Sequence, residues 1–477
     1  MAMAMLAAAL FLPGKYEEQG KRIHQHLTAR AEEGCSCQGS LLCTHLPLVV
    51  IDTGGQEIPG KPLEERDWFG QARYSLAKDG SPAITARISV MDKEGENNHP
   101  SDTPDIATAC QIRIRGNSSR RFPKLSYSLR LLDQEGDNQK LSVMGMGAHH
   151  EWVLYGPMLD KTLVRNYMWY NIAGEIMGYA PHVRFCEVML DGQYQGLYLM
   201  TENITNGGGR LHLNMNIKGA EGVGYLLRCD RPTQDEMGSL RNIYTYSERV
   251  SQTKQNISIR YPGEGTLTQE MAKNIELDYS AFEKALFSYD YNTKDYGYWH
   301  WIDVGNFIDY FLINEFTKNL DAGSYSTYIY KELGEKYRLC VWDFNNSCDN
   351  YQEQASGLEG FSMAERAWYF MLMKDGEFVE RLLGRYRELR QGVLAEEYLM
   401  EYIDGTLAYL GPAVERNSRR WDMGWEGLSP TGRNPGSHQE AVGQMKEWLK
   451  GRGRWLDENI HTLRHYAHPS RNKVYNH

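Results

Sequence analysis

Residues 314–350 read NEFTKNLDAGSYSTYIYKELGEKYRLCVWDFNNSCDN, and the way this stretch folds decides how the rest of the chain is arranged around it. Tyr325 to Lys331 is aromatic and β-branched, Glu332 to Lys336 is a polar turn around Gly334, and Tyr337 to Trp342 is apolar again. Two such runs joined by a short Gly-containing turn read as a β-hairpin. Asp321 stands just before the first strand and Asp343 just after the second. Antiparallel pairing brings the two ends of a hairpin together, so the two carboxylates can face one ligand. Such a pair suits phosphoryl transfer, where one aspartate takes the acceptor hydroxyl's proton and another holds the metal on the phosphates. It also suits glycoside hydrolysis, which uses two carboxyl groups across a sugar. A third reading is plain turn chemistry, since acids commonly flank hairpins.

Outward from the hairpin, the two halves of the chain differ in character. Gln269 to Ser288, Val304 to Asn319, Arg366 to Met373, Glu377 to Leu410 and Gln439 to Tyr466 carry helical periodicity. Upstream, His45 to Ile51, Ala83 to Met91, Cys110 to Arg115, Leu125 to Leu132, Trp152 to Tyr155, Val183 to Leu190, Gln195 to Thr201, Tyr225 to Cys229 and Ile257 to Tyr261 read as strands. Asp191-Gly192 between two of them is a strong hairpin turn. One amphipathic helix, Asp160 to Gly178, interrupts this β-rich half, with Asp160 as its cap. The expectation is an α+β chain with an N-terminal segment over 1–44, a β-rich lobe over 45–267 and a helical lobe over 268–477 that holds the hairpin.

Gly116 to Lys124 reads GNSSRRFPK. Glycine and small hydroxyl residues let backbone amides approach phosphate oxygens, and Arg115, Arg120, Arg121 and Lys124 supply countercharge. The same residues also make an ordinary charged hairpin turn. With a net charge of −10 over 477 residues, no basic surface for nucleic acid is expected; this basic run suits a small anion instead.

Met1 to Leu12 is apolar but shorter than a membrane-spanning helix needs, which leaves a signal or anchor remnant and an ordinary buried start both open. Eight cysteines include a cluster at Cys35, Cys37 and Cys43. It has no paired CxxC and no following HxxxH, so its spacing favours a disulfide in an exported chain over zinc.

Five motifs in order resemble the spore coat protein H (CotH) kinase family. They are RGN with FPK at Arg115 to Asn117 and Phe122 to Lys124, EWVLYGPMLDKTLVRN, DGQYQGLYLMTEN, NEFTKNLD and WDFN. The resemblance implies an atypical protein-kinase-like bilobed fold that transfers phosphate from ATP to serine or threonine of a secreted or surface protein, outside the cytoplasm. It implies Mg2+ or Mn2+ as the metal, and no nucleic-acid partner. By that resemblance Asp321 orients and deprotonates the acceptor hydroxyl, and Asp343 binds metal, with Ser326 and Asn345 at neighbouring metal positions. Lys124 contacts the nucleotide phosphates, Glu202 either pairs with it or faces the adenine from a hinge, and Arg115, Gly116, Asn117 and Ser118 complete the nucleotide loop. Asn345 stands where the family often has aspartate, and Ser326 where kinases carry a metal-binding asparagine. These departures keep a catalytically weak nucleotide-binding scaffold open as an alternative.

Overall fold

The computed structural model describes residues 22–28, 35, 37, 42–66, 72–93, 95–215, 222–231, 239–246, 256–350, 356–421 and 435–467. After a single helical turn α1 (Gln25–Thr28) come β1 (Leu48–Asp52), β2 (Pro62–Arg66), β3 (Ala72–Tyr74), β4 (Ile84–Met91), β5 (Ile106–Arg115), β6 (Ser126–Leu132) and β7 (Glu151–Tyr155). Helix α2 (Arg165–Ile176) and the hairpin β8 (Val183–Leu190) and β9 (Gln193–Glu202) follow. Seven of these strands close into a barrel in the order β1-β4-β5-β6-β7-β9-β8. Closure comes from β1, which pairs antiparallel with β4 and parallel with β8. A closed barrel leaves no strand edge for another chain to pair with.

Alternation supplies the barrel's interior. Ile84, Ala86, Ile88 and Val90 of β4 meet Cys110, Ile112 and Ile114 of β5 and Tyr198 and Met200 of β9 in one cluster. The opposite faces of β8 and β9, through Val183, Phe185, Leu197 and Leu199, pack on α2. Every residue of α2 from Arg165 to Ala173 is buried, because the helix lies between the barrel and the second half of the chain. The turn of β8 and β9 follows the sequence expectation. Asp191 (φ 48) and Gly192 (φ 74) both take the positive φ that a tight hairpin turn requires.

The strands of the expected 314–350 hairpin form as read. After β10 (Tyr225–Cys229), β11 (Asn242–Ile243) and β12 (Ile257–Tyr261), strands β13 (Thr327–Lys331) and β14 (Arg338–Cys340) pair antiparallel. They belong to a five-stranded sheet ordered β11-β12-β10-β13-β14. Strands from both sides of the expected 267/268 boundary therefore share one sheet.

The helices of the second half are α3 (Gln269–Leu286), α4 (Tyr298–Trp301), α5 (Val304–Phe316), α6 (Tyr369–Leu372), α7 (Gly376–Arg390), α8 (Glu396–Leu410), α9 (Pro412–Arg420) and α10 (His438–Asn459). Thr268, Asp303, Asp375 and Ser437 cap four of them by accepting an amide of the first turn. One hydrophobic cluster runs from α2 through the second sheet to Phe311, Leu383 and Leu449, so the two halves share a core.

Arg22 and Gln25 are tied to this core. The Gln25 amide accepts from Phe185 N at 2.7 Å and donates to Phe185 O at 3.2 Å, imitating a strand partner. Arg22 donates to the carbonyls of Ala180 at 2.5 Å and Pro181 at 3.1 Å. Gly174 makes room for it, since a Cβ there would lie 1.8 Å from Arg22 Nε. Met1 to Leu12 lies outside the described residues. Among the described residues no helix is long and apolar enough to cross a membrane.

Candidate active site

Asp321 sits in the loop between α5 and β13. Its carbonyl accepts from Ser324 N at 3.1 Å and Tyr325 N at 2.8 Å, which curls the loop. Arg366 donates to the carbonyls of Leu320 at 2.5 Å and Ala322 at 3.2 Å and so holds the backbone on both sides of the acid. One turn back on α5, buried Glu315 pairs with buried Arg452 of α10 at 2.6 Å and also accepts from Met363 N at 2.7 Å.

Asp343 follows β14 with φ 58, the left-handed region that non-glycine residues rarely adopt. Helix α2 over-determines this conformation. Asp343 N donates to Tyr170 Oη at 3.0 Å, and Phe344 N donates to Asn166 Oδ1 at 2.7 Å. Arg165, paired with buried Asp160 at 2.6 Å, donates to the carbonyls of Ser347 at 3.1 Å and Cys348 at 3.2 Å. The helix begins at Arg165 with Val164 as its N-cap, so Asp160 is not the cap that the sequence suggested; its carboxylate instead accepts from Arg165 N at 2.8 Å and holds the guanidinium that anchors the turn behind Asp343. Arg165 and Asn166 act on that turn's backbone.

The two acids are bound to each other's loops. Asn346 Nδ2 donates to Asp321 Oδ2 at 2.7 Å, and Asn319 Nδ2 donates to the carbonyl of Asp343 at 3.1 Å. Their fields overlap as well. Burial first, and then the nearby Asp321 carboxylate, push Asp343 up to about 6, against the Asn345 amide and the Arg115 guanidinium. Burial likewise raises Asp321, opposed by Asn346, Arg231 and Arg366. Asp230, which follows β10, adds negative charge at both acids.

Asp230 escaped the sequence reading. Cys229 pairs with Thr327, which brings Asp230 alongside residues almost a hundred positions later. The signal available was an acid directly following a buried strand. The oxygens of Asp230, Asp321 and Asp343 do not all lie within 4.8 Å of one another, but as oxygen donors these acids suit a hard divalent cation such as Mg2+ or Mn2+. Such a cation would also offset the mutual repulsion of the acids.

Of the expected nucleotide residues, the structure brings Arg115 to this cluster. Its guanidinium lies over the Trp342 ring, 5.4 Å from the centroid, and its charge acts on Asp343. Gly116 and Asn117 are exposed, and Ser118 to Arg121 form a short 3-10 turn. Arg120 turns inward to donate to the carbonyls of Gly116 at 2.5 Å and Gly60 at 2.8 Å.

The shared cleft expected for Lys124 is corrected. Its ammonium is buried at the barrel, donating to Leu197 O at 2.6 Å and Asn417 Oδ1 at 2.7 Å, over the Tyr198 ring. Burial holds it well below the usual lysine range, and the charges acting on it are Cys186, Glu187 and Arg420. The expected Lys124–Glu202 pair is corrected too. Glu202 accepts from His182 N at 2.9 Å and Tyr179 Oη at 3.4 Å, and its opposing charges are Arg210 and Arg22. Asn345 turns its side-chain oxygen to Tyr155 and to Asn166 Nδ2 at 3.4 Å instead of to the acids. Ser326, at φ 49, leads into β13. In a chain that transfers phosphate, as the resemblance implies, Lys124→Met is expected to change the rate by no more than about threefold. An ammonium on the phosphates would instead be worth several kcal/mol, about a hundredfold or more in rate.

A family model described as CotH kinase protein matches residues 112–456, most of the chain. The chain belongs to the CotH kinase family. No curated protein matches it. The CotH match begins within β5 and ends within α10, so it takes in Arg115, Asp230, Asp321, Asp343 and the buried Glu315–Arg452 pair. The strands β1 and β4 and the cysteine cluster lie before it.

Proposed function

We propose that the chain is a protein kinase that transfers the γ-phosphate of ATP to serine or threonine of a secreted or surface protein with Mg2+ or Mn2+. The observation that carries this reading is the mutual anchoring of the Asp321 and Asp343 loops, with Asp230 and the Arg115 guanidinium beside them. Asp343, with Asp230, would hold the divalent metal, which supplies charge neutralisation on the phosphates. Asp321 would orient the acceptor hydroxyl and take its proton, a task favoured by a carboxylate that burial makes more basic. Arg115 would face the phosphates from the barrel side. In this reading the barrel forms one wall and the hairpin half the other, the division of work of a bilobed kinase.

A second reading, a nucleotide-binding scaffold with little or no transfer, draws on Asn345, whose side chain is engaged by Tyr155 and Asn166. Incubation with γ-labelled ATP and Mg2+ or Mn2+ decides between the two. Wild type is expected to label itself or an acceptor protein on serine or threonine, and Asp321→Ala and Asp343→Ala to fall to background. Binding of ATP by wild type without any transfer would carry the scaffold reading instead.

A further inference from the structure

The cysteine cluster that the sequence treats as a disulfide candidate takes a different form in the fold. All eight cysteines are free thiols. Cys35, Cys37, Cys43 and His99 place one sulfur or ring nitrogen each within 4.8 Å of one another. With metal–sulfur arms of about 2.3 Å, the edge of a tetrahedral site is about 3.8 Å. Closing the set therefore needs shifts of about 1 Å or less in side chains that are exposed or half-buried.

The surroundings are built for such a set. Cys43 and His99 come from two segments locked together by a bridge between Thr44 and Asn98, with amide-to-carbonyl distances of 3.2 and 2.6 Å. Asn98 adds bonds from its side chain to Leu46 O at 3.1 Å and from Lys93 N at 3.0 Å, so His99 sits on a fixed backbone. His99 Nδ1 lies 3.2 Å from Asp102 Oδ2, a carboxylate that can only accept. That fixes the tautomer and leaves the Nε2 lone pair aimed at Cys35 Sγ, 3.5 Å away. A carboxylate behind a ligating imidazole is the usual outer support of a zinc histidine. Lys93, 3.1 Å from the same Asp102 oxygen, provides countercharge for a three-thiolate site. Backbone and side-chain N–H groups meet the sulfurs in turn, Cys37 N to Cys35 Sγ at 3.4 Å and Asn97 Nδ2 to Cys43 Sγ at 3.2 Å.

We propose that Cys35, Cys37, Cys43 and His99 form a structural zinc site that clips the chain's N-terminal segment to the loop between β4 and β5. Three soft thiolates and one imidazole select Zn2+ over the hard cations suited to the acid cluster. Four protein ligands leave no open position, so the site is structural and not catalytic. It lies outside the span matched by the family, and it stands or falls independently of the kinase reading.

The test uses the full chain without a histidine tag, purified under reducing conditions and without chelator. Elemental analysis is expected to find about one zinc per chain in wild type, and little in Cys43→Ser and His99→Ala. Cobalt exchanged into wild type should show thiolate charge-transfer bands and the strong visible bands of a tetrahedral ion. His99→Cys keeps four ligands and guards against misfolding of the other variants. It should retain cobalt with a more intense charge-transfer band. Asp102→Asn should weaken zinc affinity by about 10- to 100-fold. Wild type without zinc and without a cobalt–thiolate spectrum would overturn the proposal. So would thiol counting that finds a disulfide among Cys35, Cys37 and Cys43.

Discussion

Asp343→Asn is expected to lower phosphoryl transfer by about a thousandfold and, in the same protein without metal, to raise the unfolding midpoint. The two effects have one cause. Asp343 is pushed from 3.8 to about 6 by burial and by Asp321, so its ionised form is disfavoured in the native state. In the unfolded chain the group titrates at its ordinary value. Between about pH 4 and 6 the native state therefore binds more protons, and stability falls as pH rises through that window. Above about pH 6 the whole penalty is present, on the order of 3 kcal/mol. Asparagine keeps the shape and removes the charge, so urea unfolding at pH 7.5 should show the gain, and at pH 4 the gain should shrink. Equal stability of the two proteins at pH 7.5 would mean that the acid cluster is not under this strain. A stability cost held at the reacting centre is the expected trade between function and folding.

Arg452→Met is expected to cost about 3–5 kcal/mol, the effect of leaving one buried charge without its partner. Both side chains of the Glu315–Arg452 pair are at most 1% exposed. Arg452 also donates to Gly360 O at 2.9 Å, while Lys318 Nζ donates to Gly357 O at 2.7 Å, so one loop behind Asp321 hangs on both cations. Denaturant unfolding measures the cost. The double variant Arg452→Met with Glu315→Leu should recover much of it, because an apolar pair of similar volume needs no desolvation of charge. A loss below about 1 kcal/mol in the single variant would show that Glu315 is sufficiently served by the amides of Ser362 and Met363.

What could be read in the sequence was local. The β13–β14 hairpin, its flanking acids, the Asp191-Gly192 turn and the helix after Asp160 are all set by neighbours within a few residues, where periodicity and turn chemistry act. Glu377 to Leu410 shows the limit of that reading. Its apolar spacing is continuous, yet the chain breaks between α7 and α8, where Leu394 N and Ala395 N bond back to Leu389 and Gly392 carbonyls. Contacts between distant segments were not legible. The parallel pairing of β1 with β8 joins Leu48 to Glu187, and nothing in either strand alone announces a barrel.

Lys124 was misread for the same reason. Beside a basic loop its charge suggested phosphate, but barrel closure turns it towards Leu197 and Asn417. Arg115, at the end of β5, lies over Trp342 instead. His99 was invisible as a partner of the cysteines because the Thr44–Asn98 bridge, not sequence spacing, brings them together. Asp230 reaches the acid pair only through the pairing of β10 with β13.

The account turns on the acid cluster being a seat for a divalent cation and its nucleotide. Titration of Mn2+ into the protein with a non-hydrolysable ATP analogue, followed by the loss of the free-ion electron paramagnetic resonance signal, tests this directly. Wild type should take up Mn2+ only when the nucleotide is present or far more tightly with it, and Asp343→Asn should bind at least about a hundredfold more weakly. Identical titrations for wild type and Asp343→Asn would place the metal elsewhere and contradict the account.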